Sequence, residues 1–487
     1  MKSRDIYQSE VKTKYGKGEN YHTNLYSKLL CLITNKLATL DPFGVGIELE
    51  GGKTNWNDSV NGLPGLFGSS TCETLELKRL IQFLLNTNKT SSFEDILIPK
   101  EIMKFVKDLF KLLNRLSSDF NSSAFEYWNE SANIKETFRA KVKFGIDGEE
   151  KPLTKTFINR FLKLALKKIE CGLENAFDKN TGVLNSYFIN EVETFDTVKN
   201  DTSEYIIPKK FRQIPTALFL EGPMHFIRTS KDLAREQYTA VKNSPLYDTK
   251  LKMYKVCESM SKMPKELGRC TVFSPGWLEN ESIFLHMEYK FLLETLKNKM
   301  YSEFFEDLKN AFVPYQDPEV YGRSILENSS FIVSSANTNE NLHGTGFVAR
   351  LSGSTAEFIH MWLYMNLGFE PFFLNNEGKL NFMLSPILPA DFFSESTREV
   401  SWTYNDKSEK ISLPKNHYAF VFLSNTLVIY ENINLKNTYG KNACKVKSYK
   451  LIDKNGKEET FETEVLDEKS SLQIRKGIYK VIHVKLI

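Results

Sequence analysis

Three short segments carry side chains whose types and spacing can do chemistry. The first is Trp56-Asn57-Asp58, an aromatic beside a carboxyl group in a glycine-flanked stretch. A tryptophan face packs on the C–H side of a sugar ring, and a partly desolvated acid keeps the raised pKa needed to protonate a glycosidic oxygen. The same residues also fit a plainer role, with Asp58 capping a turn and Trp56 filling a core. The second segment reads Gly276-Trp277-Leu278-Glu279-Asn280-Glu281-Ser282-Ile283-Phe284-Leu285-His286 and runs from a turn into an amphipathic pattern. Free backbone N–H groups at a helix start can hold an anion, and an imidazole adds a hydrogen bond or a charge. Alternatively Glu279 and Glu281 favour a helix N-terminus and His286 is a satisfied core residue. The third, Gly344-Thr345-Gly346-Phe347-Val348-Ala349-Arg350-Leu351-Ser352-Gly353-Ser354, leads another Gly/Ser/Thr turn toward a helix. Its small residues let amides approach an oxyanion, with the Ser352 and Ser354 hydroxyls as further donors. It lacks the lysine of a nucleotide P-loop. It also fits a simple N-cap, with Glu357 completing a capping box from Ser354.

These segments need a scaffold, and the apolar periodicity supplies one. Helical patterns are expected over 24–37, from Ser70 through the run LELKRLIQFLL, and over 100–117, 121–140, 155–176, 230–241, 249–260, 282–297, 301–311 and 354–367. Ser70 and Glu73 stand at capping-box spacing. With no clear strand between most of these patterns, residues 1–370 read as an all-helical domain. Beyond about residue 370 the texture alternates, in HYAFVFLSNTLVIY, NACKVKSYKLI, ETFETEVL and GIYKVIHVKLI, which predicts an antiparallel β domain over 371–487. The glycine-rich stretch 41–70 has no periodicity; a loop of that length within a compact domain points to function.

Composition narrows the partners. The 487 residues are 41% hydrophobic, enough for a large core, and 64 basic against 61 acidic side chains leave a net charge of +3 with both signs dispersed. Neither nucleic acid nor an anionic membrane is expected as a partner. No apolar run reaches the ~18 residues of a membrane span, and the opening MKSRDIYQSE lacks a secretory core, so the chain reads as cytoplasmic. Cys31, Cys72, Cys171, Cys257, Cys270 and Cys444 lie far apart with no C-x-x-C pair and no matching histidine pair, which predicts reduced thiols and no metal site.

In order and wording, Trp56-Asn57-Asp58, then Glu279-Asn280-Glu281-Ser282-Ile283-Phe284-Leu285-His286, then Pro318-Glu319-Val320-Tyr321, then Ser352-Gly353-Ser354 resemble the cellobiose phosphorylase family of inverting glycoside phosphorylases (glycoside hydrolase family 94 and relatives). The likeness covers about residues 40–370. It implies a mainly α fold, a glucoamylase-like (α/α)6 barrel, followed by a C-terminal β domain. It further implies phosphorolysis of a β-glucoside or β-glucan oligosaccharide with inversion, releasing α-glucose 1-phosphate, with inorganic phosphate as co-substrate and no metal or organic cofactor. By the match Asp58 is the general acid, Trp56, Glu279 and Tyr321 contact the sugar, and His286, Ser352 and Gly353 hold the phosphate. One carboxyl group suffices because phosphate is already an anionic nucleophile, whereas an inverting hydrolase needs a second carboxylate to activate water.

The departures are specific. Asn55 stands where the family carries an acid, Ser352-Gly353 where it carries Thr-Gly, and Glu281-Ser282 where it carries Gly-Gly. A serine hydroxyl replaces that of threonine without loss of mechanism. Only 57 residues precede Asp58, fewer than the family's front end requires, so the expectation is the C-terminal portion of such an enzyme, a barrel lacking its early helices, with a separately encoded N-terminal portion as partner. Two other functions stay open at this point. In one, Glu48, Glu50 or Glu279 acts as base to a water opposite Asp58 in an inverting hydrolase. In the other, the chain binds glucan without turnover through Trp56 and Trp277.

Overall fold

A computed structural model describes residues 10–51, 57–200, 202–348 and 352–487, less the side chains of Asp58 and Ser352. The chain divides into two compact units, Met1–Glu294 with Gln316–Arg350, and Thr295–Tyr315 with Leu351–Ile487.

In the first unit the helices Leu25–Leu37, Thr71–Thr90, Lys100–Leu116, Ala124–Val142 and Lys155–Leu173 form where the apolar residues recur every three or four positions. Lys155–Leu173 buries Ile158, Phe161, Leu162, Ala165 and Ile169 on one face, and these join Leu30, Ile33, Leu75, Ile81, Phe105 and Leu109 in one core. Asn24 and Thr154 cap their helices through side-chain oxygens that accept from the Ser27 and Phe157 amides. At the helix Thr71–Thr90 the expected capping box does not form: Ser70 makes no side-chain cap, and Glu73 pairs with Lys36 instead.

The expectation of a mainly α fold built as a partial (α/α)6 barrel is not met. Helices take 40% of the residues and strands 24%, and the strands run through both units. The largest departure is the antiparallel pair Tyr187–Lys199 and Glu204–Pro215, which lies within the stretch read as all-helical. Much of it is exposed, so the alternation that marks a half-buried strand is blurred. Opposite charges across it, Arg212 with Glu191, Lys210 with Glu193 and Lys209 with Asp196, accompany the register. The helix expected over 249–260 is likewise absent. Asp248 Oδ1 accepts from the Lys250 and Leu251 amides at 3.0 Å each, Lys252 turns left-handed at φ 57°, and the chain continues as the short strand Met253–Tyr254.

The second unit holds the helices Tyr301–Ala311 and Ser352–Leu367, the hairpin of Arg398–Tyr404 and Lys407–Leu413, and a five-stranded sheet. In spatial order the sheet's strands are His417–Phe422, Thr426–Asn432, Tyr479–Leu486, Val446–Asp453 and Glu458–Phe461. It is mixed, not antiparallel as expected: Thr426–Asn432 runs parallel to Tyr479–Leu486, in the register Leu427 to Val481. Trp402, Tyr404 and Leu413 of the hairpin cover one face at Leu427, Ile429 and Val481. Against the other face, the Tyr430 hydroxyl donates to the Asn366 carbonyl at 2.6 Å and Trp362 meets Phe420 edge-on. Among the described residues no helix is long and apolar enough to cross a membrane, and all six cysteines are unpaired thiols.

Close backbone approach in the first unit depends on glycine. A Cβ on Gly172, inside the helix Lys155–Leu173, would stand 1.8 Å from the Gly44 carbonyl oxygen. Helix propensity favours Gly172→Ala by roughly 1 kcal/mol, while overpacking costs about 1–3 kcal/mol. Chemical denaturation of G172A is expected to show net destabilisation, and a gain in stability would place the helix farther from the 41–46 turn. Gly65→Ala, where a Cβ meets nothing within 4 Å, is the tolerated control.

Candidate functional site

The stretch that bears Asp58 is anchored at both ends. Asp41, fully buried, accepts from the amides of Phe43, Val45 and Gly46 at 3.0, 3.0 and 2.9 Å, from Ser69 Oγ at 2.7 Å and from Gln213 Nε2 at 3.0 Å. The strands Ile47–Glu48 and Gly68–Ser70 then pair with each other, closing the stretch at its base. Between them Asp58 opens a single 3-10 turn, Asp58–Val60. Asn57 caps it: its side-chain oxygen accepts from the Ser59 amide at 3.2 Å and from the Ser59 hydroxyl at 2.5 Å.

This turn lies directly against residues 266–271. The Gly62 amide donates to the Leu267 carbonyl at 3.0 Å, and Gly268, at φ 142°, comes so close that a Cβ there would sit 2.2 Å from the Ser59 carbonyl oxygen. The Cys270 thiol hydrogen-bonds with Ser59, and burial pushes it up to about 11. It is therefore a neutral packing group, not a nucleophile. From the same short segment Arg269 reaches Glu279, with Nη2 3.1 Å from Oε1. The other oxygen, Glu279 Oε2, is buried and has no partner among the described residues. A buried carboxylate oxygen left in this state favours a hydrogen-bond donor. The turn opened by Asp58 and the side chain of Glu279 thus share one support.

The rest of the second segment is held by its own side chains. Asn280 accepts from the Met260 amide and donates to the Phe273 carbonyl, and Glu281, at φ 58°, pairs with Lys255 at 3.1 Å. Glu279 and Glu281 therefore serve as ion-pair partners in a loop and do not open a helix. Ile283–Phe284 is a strand, not the first helical turn; it pairs with Phe331–Ile332, which pairs in turn with Gly346–Phe347. That small sheet joins the second and third segments, and Trp277 stacks on Phe347 with centroids 3.9 Å apart and planes 2° from parallel. His286 follows at the start of the helix Leu285–Lys297.

The remaining expected site residues are placed as follows. Tyr321 is fully buried; its hydroxyl donates to the Glu327 carbonyl and accepts from the Ser329 amide, and its ring fills the space a Cβ on Gly346 would need. Ser352 and Gly353 open the helix Ser352–Leu367 of the second unit. Trp56 lies outside the described residues, as do the side chains of Asp58 and Ser352.

Two partners were not singled out from the sequence. Arg269 carries no local signal for its contact with Glu279, although a basic residue beside a glycine in an irregular segment is the type to examine. Trp128 donates through Nε1 to Glu48 Oε1 at 2.5 Å. Burial raises the Glu48 carboxyl to about 6 against the pull of that hydrogen bond. Compared with known proteins, the chain matches no family model and no curated protein sequence.

Glu48 gives a signed pH prediction. Folded Glu48 keeps its proton up to about pH 6, while the unfolded chain releases it near 4.5, so its contribution falls as pH rises through that window. Glu48→Gln, which preserves an acceptor for Trp128, is expected to stabilise the protein at pH 7 by up to about 2 kcal/mol, with the difference vanishing below pH ~4.5. Denaturant titrations at pH 4 and 7 measure this, and equal effects at both values would refute it.

Proposed function

We propose that the protein is a glycoside phosphorylase, cleaving a β-linked glucoside or glucan oligosaccharide with inorganic phosphate and inversion to give α-glucose 1-phosphate. The observation that carries this reading is the shared support of Asp58 and Glu279: the turn opened by the first packs on the segment whose Arg269 holds the second, and one Glu279 oxygen is buried without a partner among the described residues. A sugar hydroxyl is the kind of donor such an oxygen accepts. The order of the four sequence segments supplies the reaction class.

In this mechanism Asp58 gives its proton to the glycosidic oxygen as the bond from that oxygen to the anomeric carbon breaks. A phosphate oxygen forms the new bond to the anomeric carbon from the opposite face. His286 holds the phosphate, and fixing it beside the anomeric carbon replaces a bimolecular encounter with a positioned one. Trp56 stacks on the sugar. Six unpaired thiols suit a cytoplasmic site for this chemistry. Inverting hydrolysis is the second reading, favoured by the raised carboxyl of Glu48, whose value of about 6 suits a general base.

Incubation with β-glucooligosaccharides, with and without phosphate, separates the two. Glucose 1-phosphate formed only when phosphate is present supports phosphorolysis; free sugar at equal rate without phosphate establishes hydrolysis, and sugar binding with no turnover establishes a binding module. Asp58→Asn is expected to lower the rate at least ~10²-fold with folding preserved. His286→Ala is expected to raise the KM for phosphate more than that for sugar, and a change confined to the sugar would move the phosphate site elsewhere.

A further inference from the structure

The five-stranded sheet of the second unit sets three metal-capable side chains on one face. His417 pairs with Glu431 across the antiparallel strands, and His483 lies beside Ile429 on the parallel neighbour. Side chains alternate along a strand, so Ile429 and Glu431 share a face with the residues set opposite them. One ligand atom each from His417, Glu431 and His483 lies within 4.8 Å of the other two, and His483 Nε2 is 3.7 Å from Glu431 Oε2.

The orientation of the rings suits coordination. His417 Nδ1 is 2.9 Å from the Lys415 carbonyl oxygen, which makes Nδ1 the protonated nitrogen and leaves the Nε2 lone pair available. A backbone carbonyl on the far nitrogen is the contact that orients metal-bound imidazoles. Burial lowers the His483 pKa from its ordinary value against the pull of Glu431. The neutral ring is the form that coordinates. His417 also lines a cavity of about 670 Å³ together with Glu395, Arg398, Ser401 and Trp402.

We propose that His417, Glu431 and His483 bind one divalent transition-metal ion, with Zn²⁺ the best fit. Two imidazoles and one carboxylate suit zinc, whereas Mg²⁺ and Ca²⁺ require oxygen cages. Zinc bonds of about 2.0–2.2 Å require ligand atoms closer together than they stand here, a contraction that small side-chain rotations supply. Three protein ligands leave a fourth position open to water. Lys450 and Lys485 oppose the ion's charge, and Glu431 neutralises part of it.

Isothermal titration of the full chain with ZnCl₂ is expected to show one saturable site, with no comparable heat from MgCl₂. His483→Ala and Glu431→Gln should each weaken Zn²⁺ binding at least about tenfold, the lower range for disturbing a metal's ligand set. Absence of saturable binding, or affinity unchanged in both variants, overturns the proposal. A second measurement avoids substitution: Zn²⁺ should protect His417 and His483 of the unaltered chain from diethyl pyrocarbonate, read by mass spectrometry. Equal modification with and without Zn²⁺ also overturns it.

Discussion

Asp41 is the constraint on which the candidate site hangs. A carboxylate taken wholly out of water is tolerable only when its lone pairs are filled, and here three amides, a hydroxyl and a side-chain amide fill them. The donors come from residues 43–46, from Ser69 and from Gln213 of the long hairpin, so one side chain ties three separate pieces of chain. Lys168 is buried close by, its ammonium against Gly44 and over the rings of Phe120 and Tyr127, and burial lowers it to about 8 against the attraction of Asp41. Removing the Asp41 charge would leave the Lys168 ammonium without the attraction that offsets its burial.

From that anchor the geometry passes outward by close approaches, not by long side chains. Gly172 admits the backbone of Gly44, Gly62 admits Glu266, and Gly268 admits Ser59. Each contact is backbone to backbone, so the turn that begins at Asp58 is positioned by the main chain and inherits its stiffness from the helix behind it. Side-chain pairs then take over at Cys270 with Ser59 and at Arg269 with Glu279.

Helices with a continuous apolar stripe, such as Lys155–Leu173, were legible in the sequence because burial on one face leaves a period of three to four. The hairpin of Tyr187–Lys199 and Glu204–Pro215 was not, because an exposed strand pair imposes little pattern on its residues. Asp248 and the left-handed Lys252 broke a stretch whose composition alone favoured a helix. Glu279 and the turn at Asp58 stood out as chemistry-bearing residues, yet their common support was hidden, since it rests on glycines whose neighbours are remote in sequence. The cluster of His417, Glu431 and His483 was hidden for a related reason: its members stand on three strands whose mixed register no local spacing encodes.

The parallel pairing of Thr426–Asn432 with Tyr479–Leu486 has a consequence for assembly. The strand at the centre of the sheet is the last of the five to be synthesised, and it is flanked by partners that must wait for it. Until it emerges from the ribosome, His417–Phe422 with Thr426–Asn432 and Val446–Asp453 with Glu458–Phe461 can exist only as two separate ribbons with open edges. Insertion of the final strand covers one edge of each ribbon at once and joins the two halves into a single sheet.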